Sequence, residues 1–348
     1  MSMKNDDLST ESAKCWCFIY PMPQLTLGKE INHEFHVWQS YIITGKAMFR
    51  RRRRLKLPDP IIDLKGKSEL SFMKLADHDL TYQVIWRQGT YKNAKRKADQ
   101  VCVQDRELLA SSQIGWTTRR RMADLAAMKF DPSMYAVSAS YEGADSVTIA
   151  TDRDNRSAKL HLDKNWKESQ ADSFFGPMLR QLNSSVKLKK GRRDLMVNAA
   201  RLIGRSCMTA NLAQAFLWNM IAIETLLISH NDTAKDAFPK RMQAIAPMRR
   251  NWTDAEGKRI VGDLYQKRCK LVHEGFADTV QPEDVYLTDA ILYNCMLNII
   301  NNPETLTCQN AVARFADYLA ADQLAKEEKF FKTTKRSWAL INVAQESW

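Results

Sequence analysis

The sequence predicts an α+β fold in two domains, a strand-rich mixed N-terminal domain and an all-α helical bundle at the C-terminal end. Short runs of alternating apolar and polar residues recur through the first 165 positions, whereas beyond about Asn165 apolar residues recur at intervals of three and four. The length, 348 residues, suits two domains. With 45% hydrophobic and 26% charged residues the chain can build sizeable cores, which excludes a disordered class.

Strand alternation is visible in CWCFIY (Cys15 to Tyr20), Thr81 to Trp86, Met134 to Ser140, Ser146 to Thr151 and Ala158 to Asp163. The last three lie close enough for a meander, and the stretch Asp105 to Met128 before them has a helical period. In the second half, Gly191 opens a segment marked by Leu195, Val197 and Leu202. A longer helix follows through Leu212, Phe216, Met220, Ile223 and Leu227, stopping at Ser229. Thr253 and Glu256 have the spacing of a capping box for a third helix, which runs through Leu264 and Leu271 to Gly275. Glu283 to Ile300 behind Pro282, and Cys308 to Leu324, complete five helices. The expected domains are therefore 1–165 and 166–325, with a helical tail over 326–348.

Lys and Arg outnumber Asp and Glu by 52 to 40, giving a net charge of +12, and such a surplus points to a polyanionic partner. A membrane is not indicated. The longest apolar stretch, Ala215 to Ile228, is interrupted by Asn219 and Glu224 and is too short to span. The polar start MSMKNDDLSTESAK lacks the basic and apolar regions of a secretory peptide, so a cytoplasmic location is expected. Seven scattered cysteines then read as reduced thiols. From Arg50 to Phe130 there are 19 basic residues against 9 acids, concentrated at Arg50, Arg51, Arg52 and the two arginines after them, at Lys92, Lys95, Arg96 and Lys97, and at Arg119, Arg120 and Arg121. Runs of this kind suit phosphate contact, because each neutralised phosphate releases a counterion. The N-terminal domain is therefore expected to bind RNA or to act as a sensor or regulator, with Trp86 and Trp116 serving core packing or, alternatively, stacking on bases.

Cys15, Cys17, His33 and His36 have a zinc-like composition, but the single-residue gap between the thiols is atypical and a strand places Cys15, Cys17 and Ile19 on one core face. No metal site is expected from them. Neither a phosphate loop, a dinucleotide fingerprint nor a nucleophile elbow can be placed, so no cofactor is expected.

The informative string is LYQKRCKLVHEG, Leu264 to Gly275. In it Arg268 is followed by four residues and then His273. An arginine can hold a phosphate through two hydrogen bonds and stabilise charge in a phosphoryl transition state, and a histidine titrates near neutral pH and moves protons. RNA carries its own nucleophile, the 2′-hydroxyl, so such a pair can cut it without a metal. The same two residues also suit a structural role, His273 offsetting a helix dipole and Arg268 lying on the surface. Glu224 sits on the apolar face of its helix, where a partly buried carboxylate needs a partner, Arg268 or another base of the bundle.

The helix FLWNMIAIETLL, a spacer, LYQKRCKLVHEG and two further helices together resemble the HEPN superfamily, and within it the Apea-like HEPN domains, over roughly residues 190–325. The resemblance implies a metal-independent endoribonuclease, of the kind that serves as a toxin or as an effector of abortive, antiviral defence. It implies Arg268 and His273 as the catalytic pair and Glu224 as the acidic residue of the preceding long helix. It also implies a homodimer with composite active sites, and cleavage of RNA, whether transfer RNA, messenger RNA or a phage transcript, to 2′,3′-cyclic phosphate and 5′-hydroxyl ends. Arg249, Arg250, Lys258 and Arg259 would line the RNA path, and a regulatory partner protein would hold the nuclease in check. Where many active members have a polar residue after the arginine, this chain has Cys269, a weak donor. The alternative is a non-catalytic module of the same fold that dimerises or binds nucleic acid in a defence or toxin–antitoxin complex.

Overall fold

The computed structural model describes residues 15–22, 25–31, 34–50, 81–115, 137–140, 143–147, 160–185, 188–209, 211–229, 232–245, 254–275 and 277–327. The chain is mostly helical with a small antiparallel sheet near its N-terminus, an α+β layout. It divides into two compact units, one of residues 1–105 and 130–163, the other of 106–129 and 164–348.

The sheet of the first unit contains β1 (Cys15–Pro21), β3 (Glu34–His36), β4 (Tyr41–Thr44), β5 (Thr81–Gln88), β6 (Val137–Ser140) and β7 (Gly143–Val147), in the order β3-β4-β5-β1-β6-β7. Every neighbouring pair is antiparallel, β1 meeting β5 from Cys15 opposite Gln88 to Pro21 opposite Tyr82. Phe18, Tyr20 and Ile85 pack against Ala94, Ala98, Val101 and Cys102 of α2 (Tyr91–Ser111). Cys17 and Ile19 alternate with Phe18 and Tyr20 along β1, and all four are buried, so both faces of this central strand are covered. Cys17 is therefore core, and His36 stacks on Tyr41 at 4.5 Å; Cys15 lies in β1 and His33 outside the described residues.

Two expectations are corrected here. The strand over Leu160–Leu162 (β8) does not continue a meander; it pairs in parallel with β2 (Leu25–Leu27) in a separate two-stranded sheet. Leu160 and Leu162 point inward while His161 is exposed, and three residues carry too little pattern to reveal their partner. The helix expected over Asp105 to Met128 begins earlier, at Tyr91, and passes into a 3-10 turn at Ser112–Gly115, while residues 116–128 of that expectation lie outside the described residues. Gly89, at φ +129°, makes the turn from β5 into α2, and the indole N–H of Trp16 donates to its carbonyl at 3.0 Å. A short α1 (Gly45–Arg50) follows β4.

The second unit is helical: α3 (Lys164–Asp172), α4 (Phe175–Leu182), α5 (Lys190–Cys207), α6 (Leu212–Leu227), α7 (Ala234–Ile245), α8 (Asp254–Glu274), α9 (Pro282–Asn301) and α10 (Gln309–Glu327). The five expected helices correspond to α5, α6, α8, α9 and α10, while α7 is hidden in the sequence because Pro239 interrupts its pattern. Residues 328–348 of the expected tail lie outside the described residues. α9 is buried at every position from Thr288 to Ile300, as a central helix must be, and starts at a capping box of Gln281 and Asp284. α6 bridges to it through Asn219, whose amide donates to Thr288 at 2.9 Å and to Asp289 at 2.6 Å. At the other end of α9, Arg192 of α5 donates to the carbonyls of Ile299 and Ile300 at 3.0 and 3.3 Å, satisfying acceptors that a helix end leaves open, and to the carbonyl of Leu306 in the following loop at 2.7 Å. The tail of α2 packs on α5 where Gly204 meets the backbone of Glu107; a Cβ there would lie 1.7 Å from the Glu107 carbonyl oxygen. Arg201 and Arg205 both close onto the Glu107 carboxylate at 2.6 Å.

Candidate functional site

The periodicity that buries Met220, Ile223 and Leu227 of α6 leaves Glu224 at the seam with α8, the helix that carries Arg268 and His273. Arg268 Nε lies 3.1 Å from Glu224 Oε1, within ion-pair range but outside hydrogen-bond geometry, while Nη2 donates to Oε2 at 3.2 Å. The two side chains keep 22% and 19% of their surface, so water still touches the pair. A guanidinium has five donors. The Nη1 donors of Arg268 have no hydrogen-bond partner among the described residues.

Beside this pair stands Tyr265, one turn before Cys269, with its ring 5.6 Å from that of Phe238 in α7. Burial, with Cys269 next, raises the pKa of Tyr265; Arg268 pulls the other way. Sequence reasoning passed over Tyr265, although its spacing of four from Cys269 puts the two on one face of the helix.

His273 is exposed in the last turn of α8, next to Val272, which is 46% exposed. Gly275 follows with φ +72°, the left-handed conformation expected past a helix end. Five residues of helix correspond to about 140° of rotation and about 7.5 Å of rise. The imidazole and the guanidinium of one chain are therefore presented on different sides of α8. The helix is tied to the start of α9 by Lys267, which donates to both carboxylate oxygens of Asp284 at 2.8 and 2.6 Å.

Of the residues predicted to line the RNA path, Arg259 alone has its side chain among the described residues. Arg259 is exposed and lies 3.3 Å from Asp263 one turn on. Lys258 belongs to α8 and Arg50 ends α1, their side chains being outside the described residues together with all of Arg249, Arg250, Arg51, Arg52, Arg119, Arg120, Arg121 and Trp116. Trp86 is half-buried in β5. Among the described residues no group of three or more His, Cys, Asp or Glu is placed to hold a metal ion, and no helix is long and apolar enough to cross a membrane.

No protein-family model matches the chain, and neither the curated proteins nor the solved structures yield a match.

Proposed function

We propose that the chain is a metal-independent endoribonuclease of HEPN type, acting in the cytoplasm as a toxin or an anti-phage effector. The observation that carries this reading is Arg268, aimed by Glu224 and with its Nη1 edge left open, five residues before an exposed His273. Nη1 and the outer Nη2 donor suit two oxygens of a phosphate, whereas the carboxylate behind holds the guanidinium in orientation. In the reaction the 2′-hydroxyl oxygen attacks the adjacent phosphorus as its proton passes to His273 acting as base. The bond from phosphorus to the 5′-oxygen breaks, a proton from a second imidazole enters that oxygen, and Arg268 stabilises the extra negative charge on phosphorus. The products are a 2′,3′-cyclic phosphate and a 5′-hydroxyl. The angle of about 140° between the two residues on one helix supports a composite site, in which two copies of the chain supply the groups across a dimer axis.

A second reading has its own support, since the Glu224 contact is what a purely structural ion pair would also make. In that case the bundle serves as a dimerisation or nucleic-acid-binding module without catalysis. Purified wild type and His273→Ala are incubated with total cellular RNA in excess EDTA, and fragment ends are analysed. Cleavage by the wild type alone, with cyclic phosphate ends and a loss of at least about 100-fold in the variant, is expected. Equal cutting by both proteins, or harmlessness of the wild type when expressed with its natural trigger, leaves the module.

A further inference from the structure

We infer that the solvent face of α2 at its N-terminal end is a docking surface for single-stranded RNA, with Lys92, Arg96 and Lys97 taking phosphates and Tyr91 stacking on a base. The inference deepens the ribonuclease reading and rests on it for the choice of polymer.

The helix is two-faced. Ala94, Ala98, Val101 and Cys102 are buried against the sheet, and Lys92, Asn93, Arg96, Lys97 and Gln100 are exposed on the opposite side. Lys92, Arg96 and Gln100 follow one another at single-turn intervals of about 6 Å, flanked by Asn93 and Lys97. At these five positions α2 itself carries no carboxylate. Asp99, one turn after Arg96, is already engaged, accepting a hydrogen bond from Tyr20 at 2.7 Å and pairing with Lys95 at 2.5 Å. Lys92, Arg96 and Lys97 pair with no acid among the described residues, in contrast to Lys95, Arg201, Arg205, Arg241, Lys267 and Arg268, each of which does. Unneutralised cations on one helix face raise the local potential and complement a polyanion.

The aromatic part separates RNA from an acidic protein surface. Tyr91 is 44% exposed, and its ring stands edge-on to Trp16 at 4.9 Å and tilted against Phe18 at 6.1 Å. The Trp16 indole is fixed to the Gly89 carbonyl, so the turn that delivers Tyr91 is pinned and its outer face is offered without loss of side-chain freedom. An ordered aromatic next to free cations is the combination by which single strands are held, the ring stacking on bases and the cations tracking the backbone.

The test uses the full-length His273→Ala protein, which does not consume its ligand, and fluorescence anisotropy with a labelled mixed-sequence oligoribonucleotide at about 50 and about 200 mM salt. Replacing Lys92, Arg96 and Lys97 together by Gln is expected to weaken binding at least about tenfold and to lower the salt slope by about 2, the share of three phosphate contacts on a single strand. Tyr91→Ala is expected to lose several-fold in affinity with the slope unchanged. A control replaces Lys167, Arg180 and Lys189, exposed cations of the helical unit, by Gln and should bind as the parent does. An α2 triple variant that keeps the parent's affinity and slope with native circular dichroism overturns the inference. So does a control that loses as much, a parent that does not bind RNA, or equal binding of polyglutamate, which would indicate an acidic protein instead. Binding is read without cleavage, so failure here leaves the nuclease question to the EDTA assay, and failure there leaves this result standing.

Discussion

Arg241 and Arg268 are both arginines of the helical unit that face carboxylates, and they are used in opposite ways. Arg241, on α7, is 6% exposed and has all five donors occupied. Nε and Nη2 reach Asp317 at 3.0 and 2.8 Å, Nη1 and Nη2 reach Asp232, and Nη1 also donates to the Leu227 carbonyl at 2.8 Å. Its hydrogen bonds, with those of Ser229, hold the Asp232 carboxyl well below the usual carboxylate range. Among the described residues Arg268 has one carboxylate and an open edge, and it keeps contact with water. A guanidinium that is fully enclosed can only hold the fold, whereas one that is half-enclosed is oriented and still able to bind; the difference lies in unused donors, not in charge.

The largest effects come from exchanging the two roles. Arg241→Met should cost about 2–3 kcal/mol in urea unfolding, the figure for a broken buried pair reduced because Asp232 and Asp317 still touch water. Once refolded, that variant should cleave RNA as the wild type does. Arg268→Ala should do the reverse, losing about 100-fold or more in kcat/KM with a loss of stability of about 1 kcal/mol. If Arg268→Ala unfolds as readily as Arg241→Met, the distinction between them collapses.

A smaller effect is expected at Glu224. Glu224→Gln keeps the shape and removes the charge, so kcat should fall by about tenfold while KM for RNA stays within about twofold, because Arg268 loses its orientation but not its open edge. A purely structural pair would leave both constants unchanged and move only the melting temperature.

The smallest effects sharpen the comparison by adding a carboxylate that has no arginine bonded to it. Asp105, in the first unit, accepts from Ser40 and the Gln39 N–H at 2.7 and 2.8 Å through one oxygen, and its other oxygen is buried without a hydrogen bond. Burial raises its pKa to about 6, against the pull of those hydrogen bonds and of Arg87. Above the ordinary carboxylate value near 3.9 the native state holds the proton more tightly than the unfolded chain, so stability falls as pH rises from about 4 to about 6. Asp105→Asn should flatten that interval. Asp232 has the opposite sign: its lowered pKa stabilises above about 4, and the gap between wild type and Arg241→Met should narrow as pH drops further. Parallel curves for all three proteins in urea titrations at stepped pH would contradict both assignments.

The sequence makes some of this visible. Glu224 on an apolar face demanded a cation, and the helix that opens at the Thr253 capping signal supplied Arg268, because helical periodicity reports which side chains share a face. Arg241 was hidden because its partners are remote. Two places after Pro239, where the helical pattern is broken, a base reads as surface until Asp232 and Asp317, 9 and 76 positions away, are brought to it. The CWCFIY and TYQVIW strands were legible from alternation, whereas the parallel partner of Leu160–Leu162 was not, since pairing between β2 and β8 spans 135 residues at Thr26 and His161. Tyr265 lies about one helical turn before Cys269, whose thiol, as a weak donor, gives no sequence signal that singles the tyrosine out.

The close approach at Gly204 has a hereditary consequence. Since any side chain there would collide with main chain and not with a movable side chain, the position is closed to drift unless the tail of α2 shifts with it. Among descendants of this chain, a residue other than glycine at 204 should therefore arrive together with a displaced or rebuilt segment around Glu107, and the joint would be inherited as a single character.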